Sequence, residues 1–337
     1  MDFLEKKENY KKIIRFKKYN KDKFNNNKSN SKILIEFNAF HNFHVLGSFL
    51  SNILSKNNNA EIFGFFNYNL VTRPNKFTLF EKLKRIIANS FKLGFFGIYK
   101  SFGANKIIYP YFESDIKKKS KYFYSDIIKN INNEEDVQSI FLKNIPVGDL
   151  ILDSYIKFFK DYNIDFKSEK FKKYLRDFIE LFLFWEKYIS NNDIKAIIGA
   201  HCYYAYGIIL RICVYKDIPT YILASSRLVK LNKDALFTND QYKYTKKIFD
   251  TFTADQKNSS YDIARKFLNK KFSGAVGLQI NEPTTVQSVF KSFDNKEKVL
   301  SQNNKIKILI ATHEIYDATH AFGKNFFPSF KTWLNIL

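Results

Sequence analysis

Residues 194–223 read IKAIIGAHCYYAYGIILRICVYKDIPTYIL, and their pattern indicates the fold class. A short apolar run at 196–199 leads into a Gly-Ala-His break, and apolar residues then recur at helical spacing over 205–215. Pro219 ends the connection, and 220–223 is again rich in β-forming residues. The order strand, loop, helix, strand is typical of two parallel strands joined by a helix.

The same order recurs along the chain. Further apolar runs typical of buried strands are KILIEF at 32–37, AEIFGFF at 60–66, KIIY at 106–109 and KIKILIA at 305–311. Between the second and third of these runs, the spacing predicts one amphipathic helix over 78–100. We therefore expect an α/β protein with a Rossmann-like parallel sheet and helices on both faces of that sheet.

Composition and strand order also suggest domain boundaries. Residues 1–31 form a basic N-terminal extension, and residues 32–283 form a Rossmann-like N-terminal domain. Residues 284–304 are a polar linker, and residues 305–337 supply the first strand and helix of a second Rossmann-like domain. One strand and one helix cannot enclose a hydrophobic core.

Several protein classes are excluded by composition. The chain has 337 residues, and its 45 % apolar content is too high for a chain that is disordered throughout. Cys202 and Cys213 are too few for a disulfide scaffold and lack zinc-ligand spacing, so we expect buried thiols in a reducing compartment. The N-terminal residues carry no secretory signal, and no uninterrupted apolar run reaches the ~18 residues of a membrane span. These features favour a cytoplasmic protein.

The net charge of +22 raises the question of an anionic partner. The chain has 55 Lys and Arg against 33 Asp and Glu, but only seven of the basic residues are Arg. Proteins that read nucleic-acid bases commonly use the forked guanidinium group of Arg, and Arg is scarce here. No nucleic-acid-binding motif is present either, so we expect no nucleic-acid partner. Most of the charge is expected to be a solvated Lys surface. Peripheral contact with anionic lipid at the inner face of the cell membrane stays an open alternative.

Every histidine of the chain follows a predicted strand. Ligands of an open parallel sheet bind outside the carboxyl ends of the strands, and imidazole exchanges protons near neutral pH. We therefore expect a binding cleft lined by these side chains, although turn residues bonded to loop backbone are the alternative. The five residues are His41 and His44 after 32–37, His201 after 196–199, and His313 and His320 after 305–311.

Other polar side chains adjoin these histidines and are candidate substrate ligands. Arg227 suits an anion clamp because Arg is scarce here and this one follows a strand, but a surface salt bridge is equally compatible with its position. The other candidates are Asn38, Asn42, Tyr206, Ser225, Asp317 and Gly323.

Common cofactor signatures are missing from the sequence. There is no Walker A motif, no G-x-G-x-x-G after the first strand and no G-x-S-x-G elbow. The pairs His41/His44 and His313/His320 resemble metal-ligand pairs, but the sequence shows no third ligand for either. We therefore expect neither a metal nor an organic cofactor, with a metal site as the less favoured alternative.

Four blocks together resemble bacterial surface (capsular-type) polysaccharide biosynthesis proteins that are similar to glycosyltransferases of the two-Rossmann-domain, GT-B kind. The blocks are EFNAFHNFHVLGSFLSNIL at 36–54, VGDLILDSYIKF at 147–158, the opening stretch at 194–223, and KILIATHEIYDATHAFGKNFFPSFKTWL at 307–334. Their order and spacing carry the resemblance more than any single block does.

The resemblance implies transfer of a sugar from a nucleotide-sugar donor to a glycan or lipid-linked glycan acceptor. In GT-B enzymes the acceptor lies mainly on the N-terminal domain, which implies catalytic roles for His41, His44 and His201, with His41 as first choice for the general base. The same likeness implies that His313, Asp317 and His320 lie near the donor crevice.

The resemblance also implies that most of a second domain is missing from this chain, because such a domain needs on the order of 100 residues. Activity would then require the missing part of that second domain, which holds the groups that stabilise the leaving diphosphate. A non-catalytic basic subunit that binds the membrane surface or glycan-assembly partners is the alternative.

Overall fold

A computed structural model of the chain describes residues 3–24, 28–38, 43–66, 79–91, 94–104, 106–110, 113–161, 163–224, 227–273 and 318–321. These residues fall into two compact units. The first unit takes those within 1–224, 228–238 and 315–337, and the second takes those within 225–227 and 239–314.

The strands are short, and six of them form one sheet. In chain order they are β1 (Lys32–Glu36), β2 (Glu61–Phe65), β3 (Lys106–Ile108), β4 (Phe141–Leu142), β5 (Ile145–Pro146), β6 (Ile194–Gly199), β7 (Thr220–Ala224) and β8 (Arg227–Leu231). Strands β4 and β5 pair with each other as a small antiparallel hairpin.

Helices connect and flank these strands. In chain order they are α1 (Phe3–Lys23), α2 (Phe43–Asn58), α3 (Leu79–Ser90), α4 (Gly94–Ser101), α5 (Ser114–Ile127), α6 (Glu134–Gln138), α7 (Gly148–Phe159), α8 (Glu169–Ser190), α9 (Gly207–Tyr215), α10 (Thr245–Asp250) and α11 (Ala254–Phe272). Within the described ranges, no helix combines the length and the apolar character needed to cross a membrane.

The six-stranded sheet has the order β3-β2-β1-β6-β7-β8. Strand β1 pairs in parallel with both β2 and β6, and the pairs β2/β3 and β6/β7 are also parallel. Strand β8 follows β7 after two residues, a connection that only antiparallel neighbours allow. The predicted α/β class is confirmed, and the mostly parallel sheet is consistent with a Rossmann-like fold.

Alternate residues of β1 enter two separate hydrophobic cores. Leu34 belongs to the core shared with α7, α8 and α9, whereas Ile33 and Ile35 belong to the core shared with α2 and α4. Successive side chains of a strand point to opposite faces of its sheet, so the two cores lie on opposite faces. The prediction of helices on both faces is therefore confirmed.

The single helix predicted over 78–100 is wrong, because the structure has two helices, α3 and α4. Gly94, at the start of α4, has a φ of 53°, a left-handed value that glycine adopts without steric cost. The amphipathic pattern does not register this break because apolar residues continue on both sides of it.

Helix α1 accounts for most of the predicted basic extension and packs against α4. The Asn20 side-chain amide donates to the Ser101 hydroxyl over 3.2 Å, and the ring of Phe16 lies 6.1 Å from that of Phe102. The strand predicted at 305–311 lies outside the described residues. The domain boundaries at 31/32, 283/284 and 304/305 remain predictions.

The second unit contains α10 and α11. Thr253 and Gln256 form a capping box at the start of α11, since each side chain bonds the backbone N–H of the other residue. The ring of Phe249 makes an edge contact with Tyr261 at 5.5 Å.

Candidate functional site

The centre of the sheet contains a topological switch point between β1 and β6. The chain runs outward from β1 through β2 to β3, returns to the middle with β6, and runs outward again through β7. Connections that leave β1 and β6 therefore diverge to opposite faces of the sheet and leave a crevice at their carboxyl ends. Of the candidate residues, Asn38 and His201 lie in the described parts of the loops that follow these two strands.

A buried carboxylate ties the two loops together. Glu36 is the last residue of β1 and is only 4 % exposed. Its Oε2 accepts the backbone N–H of Ala200 over 2.8 Å, and its Oε1 lies 3.4 Å from the side-chain amide of Asn38, which donates to it. A buried carboxylate needs such donors to offset the loss of its hydration. The carboxylate thus fixes the residue next to His201 against the start of the loop after β1.

Tyr99 of α4 hydrogen-bonds the backbone at the start of the same loop. Its hydroxyl accepts the backbone N–H of Asn38 over 2.9 Å and lies 2.6 Å from the carbonyl oxygen of Asn38, to which it donates. The carbonyl oxygen of Glu36 is a second acceptor at 3.0 Å. Because Tyr99 is fully buried, these bonds are shielded from water and the position of Asn38 is strongly determined.

His201 lies in the loop after β6 within a group of tyrosines. Its ring centroid is 5.0 Å from that of Tyr203, 5.5 Å from that of Tyr204 and 5.7 Å from that of Tyr206. Its Nδ1 accepts the backbone N–H of Tyr203 over 3.2 Å, so the proton of the neutral ring resides on Nε2. In this tautomer Nε2 is a hydrogen-bond donor.

Two non-glycine residues with left-handed backbone pack against each other beside this loop. Tyr204 has a φ of 56° and Ala318 has a φ of 51°. Together with Ala321 they form a small buried cluster. Left-handed backbone costs a non-glycine residue roughly 1 kcal/mol or more, and such residues concentrate at binding and catalytic sites.

Side chains of helix α7 hydrogen-bond the loop that contains His201. The Ser154 hydroxyl oxygen, which is fully buried, accepts the backbone N–H of Ala205 over 2.6 Å. The neighbouring Asp153 is 3 % exposed and binds the segment that contains His320. Two consecutive side chains of one helix therefore fix both the loop after β6 and residues 318–321.

His320 is held between two carboxylates. Its Nδ1 lies 2.5 Å from Asp153 Oδ1, its Nε2 lies 2.5 Å from Glu134 Oε1, and its backbone N–H also donates to Asp153 Oδ1, over 3.1 Å. Burial alone would lower the pKa of His320, but the hydrogen bonds to Asp153 and Glu134 outweigh burial and raise it to about 9. The ring is therefore a cation at neutral pH, and both of its nitrogens are engaged within the protein.

The loop that contains His201 and the segment that contains His320 are both bonded to helix α7. Tyr206 and Phe158 pack against the Tyr204–Ala318 cluster. His44 lies in the first turn of α2, where its carbonyl oxygen accepts from the Ser48 hydroxyl over 2.7 Å. The candidates His41, Asn42, Ser225, His313, Asp317 and Gly323 lie outside the described residues.

Arg227 belongs to the second unit. Its guanidinium donates to the Tyr242 hydroxyl over 2.5 Å and lies 4.6 Å from the centroid of that ring. Its role as an anion clamp remains a prediction.

No family model, curated protein or solved structure matches the chain. The function is therefore inferred from the geometry around the switch point between β1 and β6 alone. Among the described residues, no group of three or more His, Cys, Asp or Glu side chains is arranged to hold a metal ion.

Three acidic residues and one tyrosine of the site were not predicted from the sequence: Glu36, Glu134, Asp153 and Tyr99. Two of them leave a signal in the sequence. Glu36 is the only charged residue inside the apolar run ILIEF, and Asp153 lies on the apolar face of α7, one turn from Leu150. An acid on a buried face needs a specific partner, so each could have been noted as a candidate. Tyr99 and Glu134 are recognisable only from contacts distant in sequence.

Proposed function

We propose that the protein acts in glycosyl transfer and binds sugar at the crevice between β1 and β6. The observation that carries the proposal is the loop after β6, where His201 and three tyrosines lie beside a loop fixed by Glu36 and Tyr99. Sugars present apolar C–H faces and many hydroxyls, so they suit a site that combines aromatic rings with a few fixed polar groups.

The described residues suggest distinct binding roles. The Nε2–H of neutral His201 would donate to a sugar hydroxyl or a phosphate oxygen. The ring of Tyr206, half-buried beside His201, would stack on a sugar face. The side-chain amide of Asn38 would bond a hydroxyl on the other side of the crevice. His320 would act as a positioning residue, because its ring nitrogens are already bonded to Asp153 and Glu134.

The chemistry follows from the substrates that the resemblance implies, a nucleotide-sugar donor and a glycan or lipid-linked glycan acceptor. The acceptor hydroxyl would attack the anomeric carbon and form a new C–O bond. The bond from that carbon to the diphosphate breaks, and the nucleoside diphosphate leaves with the bonding electrons. A general base takes the hydroxyl proton, and on the resemblance that base is His41. No metal or organic cofactor is part of the proposal.

Ligand binding measured by calorimetry or by ligand-observed NMR tests the proposal. The probes are a panel of uridine, guanosine and cytidine nucleotide sugars and short glycans, added to the full chain. We expect binding by at least one probe, weakened by about tenfold or more in His201→Ala and in Tyr206→Ala, which corresponds to about 1.4 kcal/mol.

Tyr122→Ala is the matched control, because Tyr122 is a tyrosine of α5 that is 75 % exposed. This variant should bind as the parent does. Absence of binding to every nucleotide sugar and glycan, or an equal loss in the Tyr122→Ala control, would refute the proposal.

A further inference from the structure

Charge is divided unequally between the two helical layers of the first unit. Helices α1, α2, α3 and α4, which we call the α1–α4 layer, carry fourteen basic residues against four acidic ones. Helices α5 to α9, on the other face of the sheet, carry eleven of each. A nucleotide bias toward Lys codons would act on both layers alike, so it does not explain the difference.

Exposed apolar side chains show the same asymmetry. In the α1–α4 layer, large apolar side chains that are at least 37 % exposed occur on three helices: Ile13, Ile14, Phe16 and Tyr19 on α1, Leu46, Phe49 and Ile53 on α2, and Leu83, Ile86 and Ile87 on α3. In α5 to α9, Tyr122 is the one such residue among the described side chains. Exposed apolar residues concentrated on one face indicate an interaction surface.

The exposure of apolar side chains is clearest on helix α3. Leu83, Ile86 and Ile87 are 50 %, 42 % and 52 % exposed and occur at helical spacing on one side of the helix, and Phe91 follows them at 73 % exposure. Ala88 packs instead against the core shared with α2 and α4. The apolar stripe of α3 therefore faces solvent, opposite to the arrangement of an ordinary surface helix.

The exposed residues belong to one continuous layer, because α1, α2 and α3 all pack against α4. Helix α4 is itself mostly buried, and Phe96 is only 4 % exposed. Helix α2 also meets the end of α1, since the Phe49 ring lies 5.9 Å from that of Phe24 and the Lys56 ammonium lies 5.7 Å from the Phe24 ring.

We propose that the α1–α4 layer is a docking surface for an anionic lipid bilayer. Apolar side chains of α3 and α2 would enter the boundary between headgroups and acyl chains, while the lysines of α1 would attract the anionic headgroups. Charge complementarity favours a membrane over a second copy of this chain, because two copies of a layer with this excess of positive charge would repel each other. A surface that binds only phosphate needs positive charge but no exposed apolar side chains, and this layer has both.

Co-sedimentation of the full chain with lipid vesicles tests this inference. The vesicles are pure phosphatidylcholine, or an equal mixture of phosphatidylcholine and phosphatidylglycerol, each at low and high salt. We expect binding to the anionic vesicles at low salt, and weaker binding to them at high salt as screening increases. Binding to the neutral vesicles should be weaker by about tenfold or more at low salt.

Two double variants separate the apolar and electrostatic contributions. Leu83→Glu with Ile87→Glu should weaken binding at both salt concentrations, whereas Lys11→Glu with Lys18→Glu should weaken it mainly at low salt. Lys117→Glu with Lys118→Glu on α5 makes the same charge change on the other layer and should leave binding within about twofold of the parent. Circular dichroism checks that all variants fold alike.

Three results would overturn the inference. They are no binding to anionic vesicles at low salt, an equal loss of binding in the α5 variant, and a dimer in light scattering that the α3 variant converts to a monomer. The last result would assign the layer to self-association. Nucleotide-sugar binding is measured without vesicles, so it succeeds or fails independently of this test.

Discussion

Asp153 Oδ1 accepts two hydrogen bonds from His320, one from its backbone N–H over 3.1 Å and one from its ring Nδ1 over 2.5 Å. The two residues are 167 positions apart in the sequence. Because Ser154, next to Asp153, bonds the loop that carries His201, this contact links residues 318–321 to the support of the candidate site.

Stability should fall as the pH rises above neutral, because the folded pKa of His320 is raised to about 9 from its ordinary 6.5. The proton bound by the folded state stabilises it fully below pH 6.5, and this contribution is lost as the pH rises through the folded pKa. The contribution is on the order of 3 kcal/mol. Urea unfolding of the parent and of His320→Gln, between pH 6 and 10, measures it.

The difference in unfolding free energy between parent and His320→Gln should be largest near pH 6 and should shrink toward pH 10. Gln keeps a polar side chain but cannot carry a positive charge. A difference that stays constant over this pH range would contradict the prediction. Burial raises the pKa of Asp153, which accepts both hydrogen bonds from His320.

Arg211 should be one of the most sensitive positions for stability. It is 3 % exposed, and its two terminal nitrogens donate to the two oxygens of Asp149 over 2.6 and 2.5 Å. Arg211→Met removes one partner of a buried ion pair, and we expect a loss of about 3 kcal/mol or more in urea unfolding. Lys233→Met breaks the exposed pair with Asp217, so it should cost less than about 1 kcal/mol. Similar losses in the two variants would contradict this assignment.

The sequence predicted the five parallel strands because they appear as short apolar runs. Strand β8 was missed because buried and exposed residues alternate along it. Strand β6 and the start of β7 coincide with the runs that were identified, and the connecting helix α9 shows apolar residues at helical spacing. Strand order was not predicted, since it depends on pairing between segments far apart in the chain. The hairpin of β4 and β5 was missed because each of its strands has only two residues.

The candidate site was less predictable than the fold. The position of His201 after a strand pointed to the switch point, because that argument needs only local sequence and the general geometry of parallel sheets. The engagement of both His320 ring nitrogens was not foreseeable, since Glu134 and Asp153 come from separate helices. The roles assigned to His41 and His313 stay predictions.

Tyr99→Phe should loosen the loop after β1. The change removes the hydroxyl that accepts the Asn38 N–H and donates to the Asn38 carbonyl oxygen, and it leaves these two half-buried groups without that partner. The expected cost is about 1–3 kcal/mol in urea unfolding, with faster hydrogen exchange at the Asn38 amide. Tyr122→Phe, at an exposed tyrosine, should change neither quantity. Unchanged exchange at Asn38 would show that Tyr99 does not hold the loop.

Both cysteines should be unreactive in the folded protein. Cys202 and Cys213 are free and buried, and burial raises the pKa of both thiols, that of Cys202 to about 11. The reactive thiolate is therefore scarce at pH 8. A colorimetric thiol reagent should detect less than about a tenth of the thiols in native protein and all of them in urea. Rapid reaction of one thiol in native protein would place that cysteine at an accessible surface instead.

Gly148→Ala should destabilise the protein because the start of α7 has no room for a side chain. A Cβ atom there would lie 2.1 Å from the Val137 carbonyl oxygen and 2.2 Å from that of Gln138, and backbone atoms cannot rotate away as a flexible side chain could. We expect a loss of about 3 kcal/mol in urea unfolding. In the matched variant Gly47→Ala the nearest atoms belong to the Phe43 ring at 3.1 Å, so a small shift suffices and alanine favours the helix. A loss in Gly148→Ala no larger than that in Gly47→Ala would show that α7 can move away from α6.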